Sequence, residues 1–316
     1  MNASVRTRSF RLGDRFWEIS WTGLFAEIES GVVGKRGRAR EHSFASASEL
    51  DAFVAARIAS TTKKGFAECD PASLAGPDVT DPFQKRVEDV ARRLRRDALV
   101  PETEPGDGPP DASRFGGLPW LLAGEDTVDC GRCHAPMPLV LQLRRDDVPA
   151  PWQRLFAADL IQFFLCDSAC QGDDGWEPFA RSSLVRHVPL CAPGPTGRPG
   201  RGLPALPGKL VRGWARRDDH PSYEDLLREV PDADVLAISA ALKTRGDTPL
   251  EGEKLGGWPH WIQSASYPRC TCGALMQPFF QVDSHHTLPI QLGDTGVGWM
   301  VHCSSCQAMT FLWQSC

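Results

Sequence analysis

The cysteines are the feature that most restricts how this chain can fold. The 316 residues include 11 cysteines. Eight of them form four close pairs: Cys130 and Cys133, Cys166 and Cys170, Cys270 and Cys272, Cys303 and Cys306. Two cysteines a few positions apart on a tight turn can direct both sulfurs at one centre, and two such turns complete a tetrahedral site. The pairs therefore predict two metal sites of four thiolates each.

Other sequence properties favour metal ligands over a disulfide framework. The first 25 residues contain several arginines and no apolar run, which predicts a protein without a signal peptide. No window approaches the roughly 20 apolar residues of a membrane span. We therefore expect a cytoplasmic protein without a membrane partner, and structural disulfides are rare in that compartment. Four protein ligands leave no open position for water, so the expected cofactor is two structural Zn ions; buried, unligated thiols are the alternative.

Residues 115–170 and 255–306 share matched features in the same order. Each segment begins with an apolar residue and two glycines, and continues through a cysteine pair, a methionine, a glutamine and a closing cysteine pair. The matched methionines and glutamines are Met137, Met276, Gln142 and Gln281. This order predicts a duplicated unit, with halves at about 113–191 and 250–316 and an insertion, 192–249, between them.

Two details of these segments leave alternatives open. Gln142 and Gln281 either contact a partner or hydrogen-bond strand backbone inside each half, and we favour the second interpretation. Cys130 to His134 also fits the haem attachment pattern C-x-x-C-H, but the second segment has Gly273 at the position of the histidine. Cys69, Cys191 and Cys316 belong to neither set and are interpreted as ordinary cysteines.

The region before residue 113 predicts a small α+β domain followed by a linker. Residues 15–19 and 25–29 alternate apolar and polar residues, as half-buried strands do. A helix is expected from the Ser46–Ser48 caps to Lys63-Lys64-Gly65, and a second, basic helix over 82–98. Residues 101–112 are rich in proline, glycine and acidic residues, which is typical of a linker. The predicted boundaries are 1–72, 73–112 and 113–316.

Two family resemblances follow from these residues. Residues 115–316, with GGLPW, GGWPHW, the cysteine pairs and M-x4-Q, resemble the YwqG-like family, which is related to the programmed-cell-death-protein-2 group. This resemblance implies a mainly antiparallel β fold of two related halves and, from the eukaryotic relatives, binding of a nascent protein. Residues 10–68 resemble a degenerate WGR domain, in which Ser30-Gly31-Val32 replaces Trp-Gly-Arg. That family implies nucleic-acid binding, and Lys35, Arg36, Arg38 and Arg40 form a basic loop there.

These observations lead to two predicted functions. The first is a non-enzymatic, zinc-stabilised protein that binds a peptide or protein between the halves. Five tryptophans either form an aromatic surface there or fill the core: Trp120, Trp258, Trp261, Trp299 and Trp313. The second is a nucleic-acid-associated factor acting through a local basic patch, since the net charge is −5. No catalytic motif is present, and Asp283, His285 and His286 are interpreted as a surface turn rather than as a base or metal ligands.

Overall fold

The computed structural model describes residues 5–33, 37–74, 82–166, 170, 172, 174–190, 205–230 and 233–316. The chain forms two compact units, Met1–Lys85 and Arg86–Cys316. Lys35, Arg36 and Cys191 lie outside the described residues, as does 192–204, most of the loop that begins the predicted insertion.

A five-stranded antiparallel sheet forms most of the N-terminal unit. Its spatial order is β4-β3-β2-β1-β5. The strands are β1 (Arg6–Leu12), β2 (Arg15–Thr22), β3 (Phe25–Val32), β4 (Arg38–Ser43) and β5 (Ala67–Cys69). Helix α1 (Ala47–Lys63) packs on one face of this sheet, where Leu50 and Val54 form a small core with Ile19 and Ala26. The predicted α+β arrangement of this region is therefore present.

Both ends of α1 follow the sequence prediction. The Ser46 hydroxyl accepts a hydrogen bond from the Glu49 N–H at 3.3 Å, and the Glu49 carboxylate accepts one from the Ala45 N–H at 3.2 Å. These reciprocal bonds satisfy backbone donors that the first turn leaves unpaired. Gly65, at φ +92°, follows the helix with left-handed backbone.

The prediction for residues 82–112 is wrong in two places. Helix α2 (Pro82–Leu94) ends four residues earlier than predicted, and strand β6 (Arg96–Pro105) takes in the first part of the expected linker. The reason is a pairing that is distant in sequence. Strand β6 lies antiparallel to β11 (Lys209–Asp219) along its whole length, and such tertiary pairing overrides local propensity.

One ten-stranded antiparallel sheet forms the framework of the C-terminal unit, in the order β10-β9-β8-β7-β11-β6-β12-β13-β14-β15. Besides β6 and β11, its strands are β7 (Arg114–Phe115), β8 (Leu139–Arg144), β9 (Leu160–Leu165), β10 (Ser183–Val188), β12 (Lys254–Gly256), β13 (Gln277–Asp283), β14 (Val297–His302) and β15 (Met309–Gln314). The fold is α+β and mainly antiparallel β, as predicted.

Short helices lie in the connections of this sheet. They are α3 (Ala150–Gln153), α4 (Tyr223–Glu229) and α5 (Val235–Arg245). The Ser222 hydroxyl caps α4 by accepting a hydrogen bond from the Asp225 N–H at 3.2 Å. Within the described ranges, none of the helices combines the length and the apolar character needed to cross a bilayer.

The strand order is symmetric about the central β11–β6 pair. Four strands that are consecutive in the chain lie on each side, β7 to β10 and β12 to β15, and each group contains one set of cysteines. A long strand precedes each group, and it pairs with the first strand of the other group: β6 with β12, and β11 with β7. The two long strands are therefore exchanged between the halves.

The two outermost strands of this sheet approach each other, so that it is nearly a closed barrel. Strands β10 and β15 lie side by side, but no ladder of hydrogen bonds joins them within the part of the chain that is described. Beneath them, the rings of Phe163 and Phe311 stack at 4.4 Å in the main hydrophobic core. We call the unpaired line between β10 and β15 the seam.

Candidate metal centres

The first cysteine pair of each half lies on a tight hairpin turn. The Cys130 N–H donates to the Ala135 carbonyl at 2.8 Å, and the Cys270 N–H donates to the Ala274 carbonyl at 2.8 Å. Because the backbone folds back on itself within a few residues, both thiols of a turn can point to one centre. The shorter Cys-Thr-Cys turn at Cys272 thus closes with the same kind of bond as Cys-x-x-Cys.

The closing cysteine pairs follow buried strands. Strand β9 runs directly into Cys166 and β14 into Cys303, as the sequence predicts. After Cys303 the chain turns back, with its N–H bonded to the Ala308 carbonyl at 2.8 Å and Gln307 at φ +60°. His134 has the same φ, +60°, after the first cysteine pair, so the histidine of the C-x-x-C-H pattern is a turn residue.

The eight cysteines converge into two groups of four. In each group the four sulfur atoms lie within 4.8 Å of one another. The shortest contacts are 3.6 Å for Cys130–Cys170, 3.6 Å for Cys133–Cys166, 3.4 Å for Cys270–Cys306 and 3.5 Å for Cys272–Cys303. A tetrahedron with Zn–S bonds of about 2.3 Å has S···S edges of about 3.8 Å, whereas a disulfide is about 2.05 Å long. The sulfur positions therefore fit a four-coordinate metal ion, and the described cysteines form no disulfide.

Each group lies at the boundary between core and solvent. Cys130, Cys166, Cys270 and Cys303 are buried, Cys170 is half-buried, and Cys133, Cys272 and Cys306 are exposed. The matched methionines lie beneath the two groups, each fully buried in the same hydrophobic cluster as the inner cysteines. Their role is to pack the floor of each centre.

The thiols of each group differ in pKa. Burial opposes ionisation of Cys130, but hydrogen bonds from the N–H groups of Cys133 and Arg132 lower the pKa of its thiol to about 7. Burial and neighbouring thiols raise the pKa of Cys170 to about 11. The same contrast holds in the second group, where burial again opposes ionisation but hydrogen bonds from the N–H groups of Cys306 and Ser305 lower the pKa of the Cys303 thiol to about 6. Four thiolates this close repel one another, so a divalent cation is the partner that allows all of them to ionise.

The matched glutamines bond backbone inside the halves. Gln142 Oε1 accepts from the Trp120 N–H at 3.0 Å, and its Nε2 donates to the Pro110 and Ala112 carbonyls at 3.0 Å. Gln281 makes the equivalent bonds to His260, Leu250 and Gly252 at 2.8–3.2 Å. Both side chains are at most 2% exposed. Both amides therefore bond backbone, as the favoured interpretation has it, and the sheet buries them.

A buried cation lies two positions before each Gly-Gly pair. Arg114 and Lys254 are 2% and 1% exposed. The Arg114 guanidinium donates to the Asp107 carbonyl at 2.8 Å and to the Pro110 carbonyl. Lys254 Nζ instead forms a 2.8 Å ion pair with the fully buried Asp219. Burial lowers the pKa of both cations, and the Asp219 carboxylate opposes this at Lys254.

The seam contains a pocket of about 340 Å³ beside the first metal centre, lined mostly by apolar residues but also by Asp129 and Arg181. Leu184 and Val185 of β10 line it from one side, and Met309 and Phe311 of β15 from the other. His187 bridges one end of the seam, with its Nε2 3.3 Å from the Gln307 carbonyl. At the other end, the segment Gly175–Phe179 lies against β15. The seam is the place where strand edges and apolar side chains are both accessible.

The five tryptophans considered for an aromatic surface are all buried, at 0–9% exposure. The core interpretation is correct for them. The exposed aromatic residues in the described part of this unit are Trp176, Phe179 and Tyr223, at 45%, 42% and 37%. Trp176 and Phe179 belong to the segment that lies against β15.

The Asp283 region is held by local hydrogen bonds. Asp283 Oδ2 accepts from the Gly252 N–H at 3.1 Å, and the exposed His286 bonds the buried Glu253 carboxylate through Nδ1. Thr287 donates its N–H and hydroxyl to the same carboxylate at 3.0 and 2.8 Å. His285 takes a left-handed turn conformation, φ +56°. These side chains fasten a turn to the start of β12.

A basic cleft lies in the N-terminal unit, between α1 and the end of the sheet. Arg15, Arg38 and Arg40 line it from the strands, and Arg57 and Lys64 from the helix side. No described carboxylate lines this cleft, and none of these five cations is in an ion pair with the described residues. Arg38 and Arg40 lie on strand β4 and not in a loop, because β4 pairs with β3.

Several arginines of the predicted basic segment already have partners, so fewer of them are available to bind a nucleic acid. Arg86 pairs with Asp234 at 3.1 Å, Arg92 with Asp89 at 2.5 Å and Arg95 with Asp218 at 3.2 Å. The Arg96 guanidinium stacks 3.3 Å from the ring centre of Trp258. These cations are engaged within the C-terminal unit.

No family model matches this chain, and no curated protein sequence does. A solved structure of a protein from Bacteroides fragilis is similar over 28% of this chain and 28% of its own, with 24% sequence identity and a TM-score of 0.22. The chain therefore spans less than a third of that protein's length. Both family resemblances found in the sequence remain predictions.

Two parts of these candidate sites have no signal in the sequence. Arg15, Arg57 and Lys64 join Arg38 and Arg40 only through the packing of α1 on the sheet. Trp176 and Phe179 are far from β15 in sequence. Their spacing gives no periodic signal, and only the near closure of the barrel brings them together with that strand.

Proposed function

We propose that this chain is a non-enzymatic protein in which two structural zinc ions stabilise a β domain that binds an extended peptide or protein segment. The proposal has a metal part and a binding part, which are tested separately. Four thiolates in a tetrahedral arrangement favour Zn²⁺ among common metals, and four protein ligands leave no open position for a reactant.

Metal content tests the first part. Purified protein should contain close to two zinc ions per chain by elemental analysis. Cys130→Ser and Cys303→Ser should each remove one ion, because each residue is one of the two buried ligands of a different group. Cys316→Ser is the matched control and should retain both, since Cys316 is exposed and belongs to neither group. A folded protein without metal would overturn this part.

The seam is the single observation that supports the binding part. Strands β10 and β15 present unpaired edges beside an apolar pocket. An extended segment can add to such an edge through its main chain and place alternate side chains in the pocket. Adjacent strands in a sheet lie about 4.8 Å apart, so a strand that pairs with both edges requires β10 and β15 to lie about 10 Å apart.

Site-specific photo-crosslinking tests this binding. A benzophenone amino acid replaces Leu184 in the seam or, as the control, Leu227, an exposed leucine on α4. Biotinylated decapeptides with alternating apolar residues should label the Leu184 variant and not the Leu227 variant. The same peptides with N-methylated backbones should fail to label, because they cannot donate main-chain hydrogen bonds. Equal labelling at both positions would count against the seam.

The basic cleft supports a second candidate function, contact with a nucleic acid. Five cations without a carboxylate partner favour phosphate groups, and the cleft also exposes part of Trp17. Binding of a labelled oligonucleotide should weaken steeply with salt, and Arg40→Glu with Arg57→Glu should abolish it. Arg6→Glu, on the same unit and outside the cleft, should have little effect. No binding at low salt would reject this candidate.

We also infer that the halves of the C-terminal unit arose by duplication, as the YwqG-like resemblance implies. Matched bulges support this inference: β8 and β13 each shift register at one residue, Val140 and Phe279. The glutamine oxygens are matched too, since each accepts from the residue directly opposite, Gln162 or Trp299. Because β6 precedes the first group of strands and β11 the second, each copy also includes a long strand. The copies therefore begin earlier in the chain than the predicted repeat does.

A further inference from the structure

The segment Gly175–Phe179, which we call the strap, lies along the outer edge of β15. The Trp313 N–H donates to the Trp176 carbonyl at 3.3 Å, and the Trp313 indole N–H donates to the Gly175 carbonyl at 2.9 Å. Farther along, the Phe179 N–H donates to the Thr310 hydroxyl at 2.6 Å. Residue numbers rise along the strap as they fall along β15. The strap therefore runs antiparallel to β15, as a pairing strand would.

The strap satisfies only part of the edge that it covers. In an antiparallel strand, the N–H and C=O groups of one residue point to the same side, and alternate residues point to opposite sides. Because the Trp313 N–H points to the strap, those of Met309 and Phe311 point to the same outer edge. Within the described residues, these two have no backbone partner on that side.

The strap is also poorly suited to hold its position. Phe179 has φ +64°, a left-handed conformation that is unfavourable for an aromatic residue. Trp176 and Phe179 remain 45% and 42% exposed, so the strap leaves nearly half of its aromatic surface in contact with solvent. Its turn is closed by short local bonds, such as Glu177 N–H to the Asp174 carbonyl at 3.0 Å.

We propose that the strap is an internal ligand of the β15 edge, which a partner's extended segment displaces. This inference rests on the proposed function, because it assumes that the seam binds a segment of another protein. The partner is a polypeptide that runs antiparallel to β15, pairs with the backbone groups of Met309 and Phe311, and places an apolar side chain in the pocket. Displacement frees Trp176 and Phe179, which can then cover the bound segment.

The direct test supplies the strap in trans. The probe is a fluorescein-labelled peptide with the sequence of residues 174–181, and binding is followed by fluorescence anisotropy on the full chain. In the strap variant, Trp176→Ser, Glu177→Gly, Pro178→Ser and Phe179→Gly keep the length and remove the aromatic side chains. The strap variant should bind the peptide at least ten-fold more tightly than wild type, and a scrambled peptide should bind to neither.

A milder variant guards against misfolding of the strap variant. Thr310→Val keeps the shape of a buried side chain and removes the acceptor of the Phe179 N–H. It should loosen the strap, so the Trp313 N–H should exchange with solvent faster than in wild type. Exchange is the readout for this variant because the probe itself uses the same hydroxyl. Equal affinity of wild type and the strap variant for the probe, no binding of the probe to either, or unchanged exchange of the Trp313 N–H in Thr310→Val would overturn the inference.

The outcomes also separate this inference from the proposed function. If alternating decapeptides crosslink in the seam equally well with and without an intact strap, the seam binds peptides and the strap is no competitor. If the strap peptide binds the strap variant but the decapeptides never crosslink, the strap is an internal ligand and the proposed peptide binding is wrong.

Discussion

The two halves of the C-terminal unit use the same geometry with different polar side chains. Both have two glycines at positive φ after a buried cation, a bulged second strand and a buried glutamine. In the first half, however, backbone carbonyls bond the buried Arg114, whereas in the second a buried carboxylate, Asp219, pairs with Lys254. Positions fixed by geometry therefore match between the halves, and positions that only neutralise a buried group differ in chemistry.

The two metal centres also differ in how many of their ligands are exposed. The first has one exposed ligand, Cys133, and the second has two, Cys272 and Cys306. Beneath the second centre, Trp261 and Trp299 pack at 4.5 Å, whereas the cluster beneath the first has no tryptophan. A more exposed ion above a larger aromatic core predicts faster metal exchange at the second centre without lower stability of the surrounding half.

Loss of a buried metal ligand should have the largest effect. Structural zinc contributes roughly 10–16 kcal/mol of apparent binding free energy in small domains. We expect Cys130→Ser or Cys303→Ser to lower the free energy of unfolding by at least about 5 kcal/mol, measured by denaturant unfolding together with zinc content. A chelator should remove the ion of the second centre first. If the first centre empties faster, ligand exposure does not control exchange.

The next largest effect should come from replacing the aspartate at or just after the end of each long strand, Asp219 or Asp107. Asp219 is fully buried and accepts from Lys254 Nζ and the Trp258 N–H at 2.8 Å and the Leu250 N–H at 2.9 Å. Removing one partner of a buried ion pair costs about 3–5 kcal/mol, so Asp219→Ala should destabilise the protein by that amount. Asp107→Ala, at the exposed equivalent position, should cost less than about 1 kcal/mol. Equal costs would contradict the contrast between the halves.

The sequence predicts the cysteine groups and the matched glutamines because short-range spacing determines them. A turn with two cysteines must direct both thiols nearby, and the methionine and glutamine follow at fixed distances on the next strand. The caps of α1 at Ser46 and of α4 at Ser222 are predictable for the same reason. Each of these features depends on a few consecutive residues.

The strand exchange and the seam could not be predicted in this way. Strand β6 resembles a linker because Pro101 and Pro105 interrupt it, and only its pairing with β11 makes it a strand. The seam depends on the accumulated twist of ten strands, which brings β10 beside β15. The basic cleft depends likewise on where α1 packs. The spacing of residues along the sequence contains no information about contacts between distant segments.

Replacing either of the matched glutamines should lower the free energy of unfolding by the same amount. Gln142→Leu and Gln281→Leu each leave buried N–H and C=O groups without partners, and each should lower the free energy of unfolding by about 2–3 kcal/mol. Thermal unfolding of the two variants and of an exposed control, Gln263→Leu, compares them directly. If the two costs differ by more than about 1.5 kcal/mol, the halves are not energetically equivalent despite their shared geometry.

The smallest effect concerns His187, which links the first half to the turn after Cys306. Its Nδ1 accepts from the Ala157 N–H at 3.2 Å, so the ring proton lies on Nε2, which donates to the Gln307 carbonyl at 3.3 Å. Burial lowers the pKa of His187 below its ordinary value of 6.5, although the carbonyl bond opposes this. Below pH 6.5 the unfolded chain therefore binds a proton more readily than the folded protein does. The free energy of unfolding consequently decreases as the pH is lowered.

This pH dependence is best measured as a difference between wild type and His187→Gln, since the metal ligands and the other histidines are common to both. The stability advantage of wild type should be greatest above pH 6.5 and should shrink as the pH falls through the lowered pKa of His187. Urea unfolding at several pH values between 8 and 5 gives the two curves. A constant difference across this range would mean that His187 packs in the seam without linking the halves through its neutral ring.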